Sequence, residues 1–202
     1  MKAATSLFLL TALAVPCFAD RLITIPTGTQ VRYQTVRMEY LGTSGAGSQA
    51  WFEAGLTKSI DFGLHLHQMD GERFAATFDV GYNILVPITD IAPGVSVGMR
   101  DVIGNTELGR AAYAAVSYRI GNVGSLNQDV PTEITIGVWS RRSGLFFGGA
   151  SLPLTKQLRL IGESDSKYVW AGIEVKPTKD AALKVLVRDG APAVGLTFFT
   201  KF

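Results

Sequence analysis

The sequence of 202 residues predicts an all-β protein, a transmembrane antiparallel up-and-down β-barrel of about twelve strands. Mean hydropathy is positive, yet no segment beyond the N-terminal leader approaches the roughly 18 consecutive apolar residues of a transmembrane helix. Apolar residues instead alternate with polar ones over many short segments, as they do in transmembrane strands. The small net charge of +2 gives no indication of nucleic acid binding.

Residues 1–19 are typical of a secretory signal peptide. Lys2 precedes an apolar run, and Cys17-Phe18-Ala19 supplies the small residues of a cleavage site before Asp20. Cleavage would remove the one cysteine, so the exported chain, a single barrel domain over 20–202, would have neither disulfide nor thiol. Its stability would then come from an internal core or from surrounding lipid.

Alternation defines the predicted strands. The clearest runs from Glu72 to Val86, with Phe74, Phe78 and Tyr82 on its apolar face. The first strand is predicted near Gln30 to Tyr40, with a bulge at Thr35, where the alternation changes phase. The other strands are predicted at 50–58, 61–68, 94–101, 109–120, 132–141, 144–152, 157–163, 167–176 and 181–188, followed by a closing strand that ends at Phe202.

Two alternatives stay open at this stage. The segments 107–118 and 179–187 are rich in Ala and Leu and could form helices, and a soluble barrel or sandwich would also show alternation. The signal peptide, the terminal Phe and the aromatic strand ends favour the membrane barrel. An even number of strands places both termini, and with them the even-to-odd turns, on the periplasmic side. Four of these turns, LTKSI, VPITDI, LPLTKQL and KPTKDAAL, share a Thr followed by Lys or Asp, which supports this register. All connections are short, so no plug domain is predicted.

The last strand alternates Val194, Leu196 and Phe198 with polar or small residues and stops at Phe202. Such a strand with a terminal Phe resembles the closing strand of Gram-negative outer-membrane β-barrels. The resemblance implies an outer-membrane location, contact with outer-membrane lipid, and recognition of the Phe202 end by the barrel assembly machinery.

Two further stretches resemble the YjbH-like outer-membrane proteins. They are PGVSVGMRDVIGNTELGRAAYAAVSYRIG, from Pro93, and GESDSKYVWAGIEVKPTKDAALKVLVRDG, from Gly162. These motifs pair charged strand ends with glycine-containing strands and cover about a third of the chain. The resemblance implies a link to exopolysaccharide production, although members of that family are much longer.

The polar faces of the strands would enclose charges of both signs. The functional hypothesis is a hydrated passive pore or export channel for small or polysaccharide solutes, with a mild preference for anions. The alternative is a non-conducting envelope scaffold whose lumen is filled by salt bridges. The candidate pore-lining residues are Arg32, Arg37, His65, His67, Arg73, Asp79, Arg100, Arg119, Glu133, Arg141, Glu174, Lys184 and Arg188.

Enzymatic chemistry finds little support in the sequence. Gly94-Val95-Ser96-Val97-Gly98 matches the G-x-S-x-G pattern, but strand alternation continues past it, where a hydrolase needs a turn into a helix. An outer-membrane phospholipase would need its Ser and His on the lipid-facing wall, whereas alternation places His65 and Ser96 inside. Asp61, His65 and His67 share a strand face but fall short of a closed metal site. No catalytic residue, metal or cofactor is predicted.

Overall fold

A closed barrel of antiparallel strands makes up the computed structural model, which describes residues 21–68, 74–106, 109–121, 130–141 and 144–202. Each strand pairs with its neighbours in sequence, and the first closes the ring against the last. The predicted fold class is therefore confirmed. The strands are β1 (Thr35–Thr43), β2 (Gly47–Gly55), β3 (Ile60–Gln68), β4 (Ala75–Leu85), β5 (Gly94–Arg100), β6 (Ala111–Ile120), β7 (Thr132–Arg141), β8 (Gly144–Pro153), β9 (Leu158–Ser164), β10 (Val169–Thr178), β11 (Ala181–Arg188) and β12 (Ala191–Lys201).

The wall alternates as the sequence predicts. On β12, Val194, Leu196 and Phe198 are exposed on the outer surface, while Gly195 and Thr197 between them are buried inside. The same holds on β11, where outward Val185 and Val187 flank inward Leu186. The outer surface is accordingly an apolar band, the surface that lipid tails solvate. None of the described residues forms a helix long and apolar enough to cross a bilayer.

Two of the even-to-odd turns share one local design. In the turn between β2 and β3, Leu56 N donates to Ile60 O at 3.0 Å and Ile60 N donates to Thr57 Oγ1 at 2.9 Å. The turn between β8 and β9 repeats both bonds, at 2.8 Å and 3.0 Å, with Thr155 as the acceptor side chain. A threonine hydroxyl that accepts backbone N–H groups closes a tight turn, which explains the recurring Leu-Thr-Lys. The up-and-down topology places these turns at one end of the barrel.

The N-terminal part departs from the prediction. β1 begins at Thr35, so the predicted start at Gln30 and the bulge at Thr35 are wrong. The phase change has another cause: Gln34 adopts a left-handed conformation with φ of 56°, and the chain turns there from the barrel interior into the wall. Arg32 lies in this corner and is exposed, so it does not face the lumen.

Residues 21–31 lie inside the barrel, and the prediction that no segment forms a plug is also wrong. β2 starts and ends three residues earlier than predicted, and β4 starts at Ala75 instead of Glu72. The two segments with helical composition are the strands β6 and β11. The predicted signal peptide and the candidate Arg73 lie outside the described residues.

Candidate functional site: a lumen with an N-terminal plug

Residues 21–31, the N-terminal plug, occupy the barrel interior as a short hairpin. Arg21 pairs with Pro26 in an isolated antiparallel bridge, and Leu22 N donates to Ile25 O at 3.2 Å. Ile23 and Ile25, at the turn, are fully buried. The plug therefore carries two apolar side chains into the lumen.

Two inward-facing apolar clusters of the wall receive these isoleucines. Ile23 packs with Leu41, Trp51, Ile161, Trp170, Leu186 and Ala193. Ile25 packs with Ala111, Ala115, Trp139 and Phe147. Burial of one isoleucine side chain contributes about 1.5–3 kcal/mol, so the two anchors together stabilise the seated plug substantially.

A single carboxylate binds the turn of the plug. Glu163 Oε2 accepts from Ile23 N at 2.8 Å, and Glu163 Oε1 accepts from Thr24 N at 2.7 Å and from the Thr24 hydroxyl at 2.5 Å. Ile25 N donates to Oε2 at 3.4 Å. An ionised carboxylate only accepts hydrogen bonds, so Glu163 is matched to this cluster of four donors. We name this arrangement the Glu163 clamp.

A buried network of charges holds the start of the plug. Arg21 donates to Glu53 Oε1 at 2.7 Å and to Glu39 Oε2 at 3.3 Å. Lys184 Nζ donates to Glu39 Oε1 at 2.7 Å and to Leu22 O at 3.1 Å, and Arg37 also donates to Glu39. Glu39 thus bonds to three cations in a space without access to solvent, where unpaired charge is costly.

The other end of the plug is held by polar side chains of the wall. Gly28 N donates to Ser117 Oγ at 2.8 Å, and Asn83 Nδ2 donates to Gly28 O at 2.8 Å. A Cβ at Gly28 would lie 2.4 Å from Gly94 O, so only glycine fits this passage. Ser96 donates to Thr27 O at 2.6 Å. The serine of the G-x-S-x-G match is therefore an interior plug contact, not a group on the lipid-facing wall that lipid hydrolysis would require.

Beyond the plug, a cavity that we call the vestibule opens toward the odd-to-even connections. Its floor is Thr24, and its walls include Trp51, His65, Arg100, Arg141, Asp165, Tyr168, Trp170 and Arg188. Its volume is about 60 Å³. A water molecule needs roughly 10–15 Å³ on this measure, so the vestibule has room for a few waters.

The histidines are part of the vestibule wall. His65 stacks on Trp51 with ring centroids 4.8 Å apart, and His67 stacks on His65 at 5.7 Å. Within the part of the chain that the structure describes, no group of three or more His, Cys, Asp or Glu residues could hold a metal ion. The arrangement is a ring stack that forms one side of the cavity.

Asp101 organises the connection between β5 and β6 at the vestibule rim. Its carboxylate accepts from Thr77 Oγ1 at 2.6 Å, from Thr106 Oγ1 at 2.5 Å, and from the backbone N–H groups of Gly104, Asn105 and Thr106. Burial acts to raise the pKa of Asp101, but these hydrogen bonds outweigh it and bring the pKa below its ordinary value of 3.8.

Asp101→Asn is expected to destabilise the barrel by about 1–3 kcal/mol, because an amide cannot accept all of these bonds. A carboxyl whose pKa is lowered in the folded state stabilises it above the ordinary pKa, and this contribution is lost as pH falls through the folded-state pKa. The difference in stability between wild type and variant, measured by thermal unfolding in detergent, should therefore shrink at acidic pH. A difference that does not change with pH would contradict this assignment.

The structure places most candidate pore-lining residues in the interior, and it separates them into groups. Arg37 and Lys184 belong to the charge network of the plug, whereas Arg119 pairs with Glu133 at 2.9 Å and Lys176 pairs with Glu174 at 3.3 Å. Those that line the vestibule are His65, His67, Asp79, Arg100, Arg141 and Arg188.

Sequence reasoning missed the plug and the residues that receive it. A signal was present, because Trp51 shares a strand face with Glu53, and Leu186 shares one with Lys184. Large apolar residues on the charged faces of several strands require an apolar partner inside the barrel. Residues 21–31, which precede β1, supply it.

One comparison with solved structures agrees with the fold. The KdgM porin in complex with disordered oligogalacturonate superposes with a TM-score of 0.55 at 8% sequence identity, over 83% of this chain and 99% of that porin chain. A second chain, from work on in-meso crystallization of membrane proteins, has a TM-score of 0.48 at 15% identity, over 83% and 84% of the two chains.

No protein-family model and no curated protein matches the sequence. The resemblance to YjbH-like proteins is accordingly not supported. The structural likeness to the KdgM porin shows the porin-like β-barrel fold.

Proposed function

We propose that this protein is an outer-membrane pore for small solutes whose lumen is closed by the N-terminal plug. The observation that carries the proposal is how the plug is attached. The backbone groups of the plug bond to wall side chains such as Glu163, Ser117 and Asn83, and no β-ladder joins residues 21–30 to the barrel. The plug can therefore leave the lumen without breaking the hydrogen-bonded wall.

The fold and surface support the location. An apolar outer band of strands suits a bilayer, and the shared fold with a solved porin agrees with a role in solute passage. That porin was solved with an oligogalacturonate, an acidic saccharide, and a solute of this charge would meet Arg100, Arg141 and Arg188 in the vestibule. The signal peptide predicted at residues 1–19 would direct export.

A second candidate is the non-conducting scaffold. The observation that favours it is the buried charge network around Glu39, which fills the middle of the lumen together with the plug. In that case the plug would be a permanent core of the barrel, and its removal would lower stability without opening a path.

The deciding experiment is bilayer conductance of the chain over 20–202 and of a variant lacking residues 21–30. Wild type should be closed for most of the record, whereas the variant should conduct steadily. The deletion removes Arg21 from the buried charge network. Two carboxylates, Glu39 and Glu53, then face two cations, Arg37 and Lys184, so the network of the variant carries no net charge. Val185→Ala, on the outer surface, is the control that leaves the plug seated. If the variant is folded, as judged by heat-modifiable migration in gel electrophoresis, but does not conduct, the protein is a non-conducting scaffold.

A further inference from the structure

The three carboxylates of the vestibule are already bound to donors. Asp79 accepts from Arg100 at 2.9 Å and from Asp101 N at 2.9 Å. Asp165 accepts from the backbone N–H groups of Lys167 at 2.9 Å and Tyr168 at 2.6 Å. Asp101 is bound by its own connection, as described above. Both bonds to Asp165 end on Oδ1, and its Oδ2 lies 4.0 Å from Arg141 Nη1, beyond hydrogen-bond distance.

Two arginines of the vestibule, Arg141 and Arg188, donate no hydrogen bond to a carboxylate among the residues that the structure describes. Arg141 approaches Asp165 only to 4.0 Å, and its buried Nε has no acceptor. Arg188 is 9% exposed and has no carboxylate within salt-bridge distance among the residues that the structure describes. A buried guanidinium carries five N–H donors and strongly favours an oxyanion as its acceptor.

Aromatic rings fix the planes of both guanidinium groups. The Arg141 guanidinium carbon lies 3.6 Å from the ring centroid of Trp139, and that of Arg188 lies 4.6 Å from the ring centroid of Tyr168. Stacking on a ring face occupies the face of a guanidinium and leaves its in-plane N–H groups available. Trp170, whose indole N–H is also buried without an acceptor, adjoins Arg188 at 5.5 Å.

We propose that the vestibule binds a small organic anion through its carboxylate or phosphate group, with Arg188 and Arg141 as the binding residues and Trp170 Nε1 as an additional donor. The inference deepens the proposed function, on which it rests, by naming the class of solute. The volume of about 60 Å³ admits one oxyanion group, and the rest of the solute would extend toward the odd-to-even end. A bidentate guanidinium–oxyanion pair provides the selectivity for charge.

The tryptophan fluorescence of the chain can be used to monitor this cavity. Its three tryptophans, Trp51, Trp139 and Trp170, are all buried in the interior, so intrinsic fluorescence follows the lumen and not the lipid-facing surface. The experiment titrates the folded chain in detergent at constant ionic strength with D-glucuronate and, separately, with inorganic phosphate. D-glucose, which differs from glucuronate by lacking the carboxylate, is the neutral control.

We expect saturable fluorescence changes with glucuronate or phosphate and none with glucose. Arg188→Gln and Arg141→Gln should each weaken binding about 10-fold or more, since each removes a charge-assisted pair. Arg32→Gln, an exposed arginine outside the lumen, should bind as wild type does. Arg188→Lys keeps the charge and should retain part of the affinity if Arg188→Gln fails to fold.

Three results would overturn the proposal: equal responses to glucuronate and glucose, no saturable response to either anion, or wild-type affinity in both folded glutamine variants. Equilibrium binding does not require solute passage. If the chain binds anions but its plug-deleted variant does not conduct, the pore is rejected and the binding site is retained. If the plug-deleted variant conducts but the chain binds no anion, the pore is retained and the binding site is rejected.

Discussion

Glu39→Gln is expected to lower the free energy of unfolding by about 3–5 kcal/mol, the cost of breaking a fully buried ion pair. Glu39 bonds to Arg21, Arg37 and Lys184, and its side chain is without solvent exposure. The neutral amide would leave three cations close together, of which Arg21 and Arg37 still pair with Glu53. Urea unfolding in lipid vesicles, followed by tryptophan fluorescence, measures the difference.

The matched control is Glu133→Gln. Glu133 is also an inward glutamate on a strand, but among the described residues its one ion pair is with Arg119, and both side chains keep some solvent access. Its replacement should cost about 1 kcal/mol or less. Equal losses in the two variants would show that the network around Glu39 has no special role in stability.

Glu163→Gln is expected to release the plug while the wall stays intact. The amide offers one oxygen, and its NH₂ group would face the N–H groups of Ile23 and Thr24, which now donate to the carboxylate. Loss of about 1.5–3 kcal/mol in hydrogen bonds to a charged group would raise the population of the unseated plug by roughly 10- to 100-fold. Single-channel recording should show this as a corresponding rise in open probability.

Glu133→Gln again serves as the control, because it makes the same chemical change at a position that does not contact the plug. Glu163→Asp, which keeps the charge but shortens the side chain, should fall between wild type and Glu163→Gln. A folded Glu163→Gln barrel with the wild-type open probability would show that the Glu163 clamp does not keep the plug seated.

The wall of the barrel could be predicted because each strand carries its own signal. β7 and β11 have the predicted bounds, since period-two alternation and the flanking turn residues are both local properties. The same alternation predicts that the side chains of Asp79 and Arg100 face the interior, where both are buried. Register between strands was implied by the short connections.

The plug could not be predicted in the same way, because its structure depends on contacts distant in sequence. Residues 21–31 have no period of their own, and Ile23 and Ile25 resemble the start of a strand when taken alone. What places them inside is the pair of apolar clusters and Glu163, which lies on β9. The vestibule was missed for the same reason, since its floor is part of the plug.

The seam between β1 and β12 also sets the order of folding. Pairing of Thr35 with Lys201 closes a loop that spans nearly the whole described chain, so its entropic cost must be met after the intervening hairpins have formed. The backbone of Gln34, where the chain leaves the lumen, accepts from Phe202 N at 3.2 Å. The ring therefore cannot enclose residues 21–31 until the final strand has been synthesised and paired. A chain truncated before β12 would keep two unpaired sheet edges, which makes it prone to aggregation and a substrate for proteolytic quality control.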